Sequence, residues 1–188
     1  MPRHPAIGPF TAALSALVAL TSCQGSPEAG QPNTAPPSTT PSTTSTPVDE
    51  SKAARDAAVA GYRRYVAVIN AMTASGGTAV KELPDVASGV ELAVAQNQAA
   101  SYRGRKIKTI GTWEVLWAKT VNIGPSPMHI TSASVQACYD TSKTQAVDST
   151  GKSVRVPGTP TRWLDNRQLQ LIGGVWKVVK GKNQGAAC

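Results

Sequence analysis

Apolar residues in this chain change their period once, near Gly111, and that change decides what it can fold into. Before it, Ala54, Ala58, Tyr62, Tyr65, Ile69 and Met72 recur at intervals of three and four residues, which gathers them into one stripe along an amphipathic helix. After it, Trp113, Val115, Trp117, Val121 and Ile123 alternate with Thr112, Glu114, Thr120 and Asn122, Lys119 being the exception. That two-residue period belongs to a half-buried strand. Helices first and antiparallel strands afterwards predict an α+β fold, with the helices packed on one face of the sheet.

Local signals place the elements. Asp49 or Ser51 caps the first helix, Glu50 suits the positive end of its dipole, and Gly76-Gly77 ends it. Pro84 starts a short helical turn that closes at Gly89, and residues 90–102 form another helix stopped by Gly104. Gly124-Pro125-Ser126-Pro127 turns the chain into a second strand over 128–139. Asp148 to Lys152 is a turn, and Pro157-Gly158-Thr159-Pro160 is a loop. Strands over 162–172 and 175–180 then pair as a hairpin across Gly173-Gly174. No repeat runs at a solenoid period. Ahead of this domain, 49–188, residues 24–48 are rich in Pro, Ser and Thr and nearly free of apolar side chains. Such a segment cannot bury enough surface to offset its ordering entropy, and as a tether it reaches at most about 80 Å. Its composition also matches glycosylated stalks.

The first residues point out of the cell. A basic start at Arg3 leads into an apolar run through Phe10, Leu14, Leu17 and Leu20, then to small residues and Cys23. This is the layout of a secretory signal, too short to span a bilayer as a mature helix. Leu20-Thr21-Ser22-Cys23 resembles the lipobox of bacterial lipoproteins. The resemblance implies a signal peptide over 1–22, a diacylglyceryl group on Cys23 and a mature chain that starts there, with a linker over 23–48. Two or three acyl chains, at about 0.8 kcal/mol per buried CH₂, suffice for stable anchoring. The expected location is the extracytoplasmic face of the cell membrane. The chain has three cysteines; if Cys23 carries lipid, Cys138 and Cys188 remain as one pair in an oxidising compartment, with two free thiols as the competing reading.

The formal charge is +8, about +7 once Arg3 leaves with the signal. An exported chain rarely meets nucleic acid, so anionic lipid headgroups or wall polymers are the expected partners of this charge, with plain solubility as the alternative. The one cluster above background is Arg103-Gly104-Arg105-Lys106-Ile107-Lys108, whose Arg103, Arg105, Lys106 and Lys108 are the candidate contact with an anionic surface.

Four local features carry a second resemblance: Tyr62-Arg63-Arg64-Tyr65 on the first helix, Tyr102-Arg103-Gly104 at a helix end, Ala137-Cys138-Tyr139-Asp140 closing a strand, and Gly174-Val175-Trp176-Lys177-Val178 in the last strand. Together with the element order they are similar to the nuclear transport factor 2-like superfamily, in particular to small exported lipoproteins of actinobacteria. The resemblance implies a cone of helices closed by a strongly curved antiparallel sheet around an apolar pocket. In that superfamily some members are isomerases, dehydratases or cyclases, and many only bind ligands or partners. Tyr62, Tyr65, Trp113, Trp117 and Trp176 are the candidate pocket lining, with ordinary core packing as the alternative.

Chemistry-bearing patterns are sparse. The mature chain has one histidine, His129, and neither metal-ligand spacings nor a Gly-x-Ser-x-Gly elbow, so neither a metal, a cofactor nor a catalytic triad is expected. Asp140 reads as a turn cap, and Asp165, between Arg162 and Arg167, as a surface ion pair. The expected function is a membrane-tethered, non-catalytic ligand-binding or interaction module of the cell envelope. The alternatives are an isomerase-, dehydratase- or cyclase-like enzyme using a pocket carboxylate, and an accessory subunit of wall-synthesis or lipid-transport machinery with an envelope protein as partner.

Overall fold

The stripe running from Ala54 to Met72 forms the inner side of a 28-residue helix, α1 (Pro47–Ala74). It starts two residues before the expected cap, with a proline at the first helical position, where the missing N–H costs nothing. The computed structural model describes residues 47–126, 129–186 and 188; the signal segment, Cys23 and the tether to residue 46 lie outside them, as does the side chain of His129. A short α2 (Leu83–Val86) and a 17-residue α3 (Gly89–Arg105) follow. Gly104 lies inside α3 rather than ending it. The stop is Lys106, in the left-handed conformation at φ 52°, its N–H turned back to the carbonyls of Tyr102 and Arg103. A left-handed cap satisfies carbonyls that a helix end leaves open.

The strands are β1 (Lys108–Ile110), β2 (Glu114–Ser126), β3 (His129–Asp140), β4 (Gln145–Val147), β5 (Arg162–Ile172) and β6 (Val175–Gly185). They form a four-stranded antiparallel sheet in the order β2-β3-β5-β6 and a small β1-β4 ribbon. The β5-β6 hairpin turns at Gly173-Gly174, both at positive φ, as a two-residue loop between right-twisted strands requires. Ala133, Val135 and Ala137 of β3, Leu169 of β5 and Trp176 and Val178 of β6 are buried against α1, α2 and α3. All six residues of the α1 stripe join them, Ala54 at the margin. The α+β layout read from the change of period is the fold.

Strand β2 departs from simple alternation. Its register with β3 steps between Val115 and Trp117 and again between Thr120 and Asn122. Each extra residue of a bulge exchanges the two faces of the strand. Trp113, Val115, Ala118 and Ile123 therefore pack on the core, while Trp117 is turned to the opposite face. There its ring lies 5.4 Å from the Lys119 ammonium, and its Nε1–H donates to the Cys188 carbonyl oxygen at 3.3 Å. The single apolar face expected for residues 113–123 is thus corrected by two bulges.

Cys138 and Cys188 are joined by a disulfide, Cα to Cα 5.8 Å. It ties Cys188 to β3, two residues before that strand ends.

Candidate functional site

Alternation on β5 places Asp165, Arg167 and Leu169 on the face turned towards the helices. Leu169 is core. The two charged residues meet three side chains from helices far away in sequence. Arg167 Nε donates to Asp165 Oδ1 at 2.8 Å, and its Nη1 lies 2.7 Å from Oε2 of Glu91 in the first turn of α3. Tyr62 donates to Asp165 Oδ2 at 3.0 Å, and Tyr65 donates to Glu91 Oε1. The guanidinium also lies over the Tyr65 ring, 5.5 Å from its centroid. Asp165 is 2 % exposed and Glu91 4 %. Among the described residues no buried side-chain nitrogen or oxygen lacks a partner, the condition under which a buried charged network is tolerable.

Asp165 is therefore not the surface ion pair that its neighbours Arg162 and Arg167 suggest. Arg162 points the other way, to Asp140 at 3.4 Å. The backbone makes room for the network at Gly181, which pairs with Arg167 across β5-β6. A Cβ at Gly181 would stand 2.2 Å from Arg167 Cδ.

The electrostatics follow from burial. Desolvation pushes the Asp165 carboxyl above its ordinary value, more than the Arg167 charge and the Tyr62 and Arg167 hydrogen bonds lower it. Burial, reinforced by the neighbouring carboxylates, raises the Tyr62 and Tyr65 phenols far above the ordinary tyrosine value, so both are donors at neutral pH. Burial works against the Arg167 cation, but the Asp165 and Glu91 carboxylates hold it charged.

This network floors a cleft of about 270 Å³. Its walls are Val66, Ile69, Val90, Val94, Trp113 and Tyr139, with Lys180, Lys182 and Asn183 at the β6 edge. Trp113 stacks on Tyr139 at 5.3 Å and 12°. The Tyr139 hydroxyl accepts from Asn183 Nδ2 at 2.8 Å, and burial raises its pKa to about 12. Val90 and Val94 are 66 % and 52 % exposed on α3. The cleft thus joins apolar walls to a charged floor whose groups are already paired.

The residues singled out from the sequence separate. Tyr65 and Trp113 line the cleft. Tyr62 is wholly buried behind its floor and acts on it through Asp165. Trp117 lies on the other face of the sheet. Trp176 is core, held so close to α1 that a Cβ at Gly61 would come within 2.7 Å of its Cβ. Asp140 is a turn cap, accepting the Ser142 N–H at 2.6 Å, a bond that holds its carboxyl below the usual range.

The basic run is divided. Arg103 donates to the Gly77 carbonyl, Lys106 is the helix cap and Lys108 belongs to β1. These three border a shallow depression of about 840 Å³ shared with Asp148 and Thr150, and Arg105 is not among its lining residues. Three of the four cations therefore border one depression, and Arg105 is exposed at the end of α3, next to Lys106 in sequence.

Glu91, Val94, Gln98, Lys180, Lys182 and Asn183 line the cleft without having been singled out from the sequence, and Tyr139 entered only within a motif of the resemblance. A signal existed for Glu91, since Glu91, Ala95 and Ala99 recur every four residues along the buried side of α3. For Asp165 and Arg167 the signal was their alternation with Leu169. Among the described residues no group of His, Cys, Asp and Glu is placed to hold a metal ion, and no helix is long and apolar enough to cross a membrane.

No protein-family model matches the chain, and no curated protein matches it in sequence. Solved structures resemble it in shape. The intermembrane space region of the chloroplast protein ARC6 aligns over 70 % of this chain and 97 % of its own, at 12 % identity and a TM-score of 0.53. Fainter likenesses are Aln2 from a Streptomyces species, with 9 % identity, TM-score 0.41, and 69 % and 88 % of the two chains covered, and a cystatin-like domain from Nostoc punctiforme, with 14 % identity, TM-score 0.37, and 77 % and 81 % covered. The likeness to ARC6 is one of fold alone: helices on one face of a curved antiparallel sheet.

Proposed function

We propose that this chain is an exported lipoprotein, anchored by lipid on Cys23 to the outer side of the cell membrane. Its nuclear transport factor 2-like domain binds a small amphipathic ligand in the cleft without transforming it. The observation that carries this reading is the pairing at the cleft floor. Both oxygens of Asp165 and both of Glu91 already face a donor, and one buried arginine offsets one of their two charges while Tyr62 and Tyr65 donate to the remaining oxygens. A general base must be free to take a proton at hydrogen-bond reach of its substrate. These carboxylates are instead committed to holding Arg167. The volume supports a small ligand, since about 270 Å³ lies below the range of about 300–1,000 Å³ typical of drug-sized sites. Apolar walls would cover the ligand's body, and the charged floor and Asn183 would meet its polar end.

The test is tryptophan fluorescence of the full chain titrated with decanoic acid, decylamine and decanol, because Trp113 forms a cleft wall. A saturable change is expected with at least one of them, weakened about tenfold by Val94→Arg at the mouth. A flat response to all three would remove the cleft as a ligand site. The enzyme alternative has one point in its favour, that Asp165 borders the cleft. Isomerase or dehydratase turnover abolished by Asp165→Asn would decide for it.

A further inference from the structure

The face of the sheet turned away from the helices carries a second recess, lined with a different chemistry. Strand register assigns its side chains to rows that cross the sheet. One row runs Lys119, Gln136, Asn166, Lys182, and the next runs Asn122, Ser134, Gln168, Lys180. A groove of about 410 Å³ touches all four strands, with Val121 on β2 and, from these rows, Ser134, Asn166, Gln168, Lys180 and Lys182 in its lining, while Lys119 and Gln136 flank it. Trp117 stands one row further along the same face, beside Lys119. Among the described residues neither row holds a carboxylate. The acidic groups of this face, Glu114 and Asp140, lie at its far end, already paired with Lys143 and Arg162.

From this placement we propose that the outer face of the sheet binds an anionic glycan, a chain of sugar rings bearing carboxylate or phosphate groups. The groove meets the cleft at Arg167, Lys180, Gly181 and Lys182, whereas Ser134, Asn166 and Gln168 line the groove and not the cleft. Amide side chains both donate and accept, which matches sugar hydroxyls. Gln136 and Asn166 are held ready by their own hydrogen bond, Gln136 Nε2 to Asn166 Oδ1 at 3.2 Å. Lysines at both ends of the first row, about 14 Å apart across three strand spacings, supply the complementary charge. Trp117 offers an aromatic face to a ring. A single-stranded nucleic acid would want several stacking platforms, and this face provides one. A flat lipid surface would reach the lysines and the exposed Gln168 but not the half-buried Gln136 and Asn166.

The experiment is calorimetric titration of the full chain with an oligogalacturonate, a neutral malto-oligosaccharide of equal length, and inorganic polyphosphate. The oligogalacturonate is expected to bind, more weakly as salt rises, and more tightly than either of the others. Gln168→Glu, which puts a negative charge in the groove, should weaken it at least about tenfold, and Arg105→Ala on α3 should leave it unchanged. Because β6 borders both sites, Gln168 and not a lysine is the diagnostic position. Equal or tighter binding of polyphosphate would reduce the face to a general cation patch and overturn the glycan assignment. Loss of binding in Arg105→Ala, or no effect of Gln168→Glu, would move the contact off the sheet. A concentration-dependent dimer that Gln168→Glu dissociates would assign the face to a second copy of the chain and also overturn the proposal.

Discussion

Arg167 holds the cleft together, because it is the one cation between two carboxylates that are almost wholly buried. Removing one member of such a set leaves its partner charged and unpaired, at a cost of about 3–5 kcal/mol. Asp165 carries the pH dependence. Its folded-state pKa is raised by burial above the unfolded value of about 3.9. Its contribution is thus fully present when both states are protonated, below that value, and is lost as pH rises through the folded pKa. Relative to Asp165→Asn, the wild-type domain should lose stability on going from about pH 4 to neutrality. Melting temperatures of the two proteins across that range check this; a wild type that gains on the variant as pH rises would contradict it. Asp140 and Asp148, whose carboxyls are lowered by turn hydrogen bonds, act in the opposite sense in both proteins and cancel in the comparison.

At the scale of elements, the exit from α1 shows how tightly the helices are fitted. Gly77 sits at φ +85°, and a Cβ there would stand 2.2 Å from the Ala99 carbonyl oxygen of α3. Its N–H donates back to Met72 at 2.8 Å, and its carbonyl accepts from Arg103. The glycine pair read as a helix stop is therefore also the contact that lets α1 and α3 approach. Gly77→Ala should cost at least about 2 kcal/mol, from the left-handed backbone and the forced separation of the helices. Urea denaturation measures it, and a loss below 0.5 kcal/mol, the usual scatter of surface substitutions, would argue that the turn simply relaxes. Strand β2 teaches the reverse lesson. Its Trp113-to-Ile123 alternation was legible, but the bulges that turn Trp117 outward depend on how β2 pairs with β3. Register is a property of two strands at once.

For the whole molecule, two cysteine attachments matter. The Cys138–Cys188 bridge closes a loop of sequence separation 50, for which the chain-entropy model gives about 4 kcal/mol. Cys188→Ser should lower stability by about 2–4 kcal/mol and expose Trp117, whose indole N–H bonds to the Cys188 carbonyl. A lower urea midpoint with a red-shifted emission of the folded state is the expected result, and an unchanged midpoint would deny the bridge a stabilising role. The other attachment is the proposed lipid on Cys23. Cys23→Ala should leave the protein unprocessed or release it from the membrane fraction, as followed by fractionation and intact mass. Maturation at the same site with membrane retention would refute the anchor.

What the sequence determined by itself is what local physics encodes. The helical stripe from Ala54 to Met72, the shift to a two-residue period, the Gly173-Gly174 hairpin and the α+β order each depend on neighbours within one element. The pairing of Cys138 with Cys188 was legible as a count only on the condition that Cys23 carries lipid, and the structure joins the two. The cleft floor was not. Alternation puts Asp165 and Arg167 on the same face as Leu169, but it cannot say that Tyr62 lies 103 residues away from its Asp165 partner and yet within hydrogen-bond reach. Burial turned an apparent surface pair into a locked network. Only the docking of α1 and α3 on the sheet decided it, because desolvation, unlike periodicity, depends on everything packed around a group.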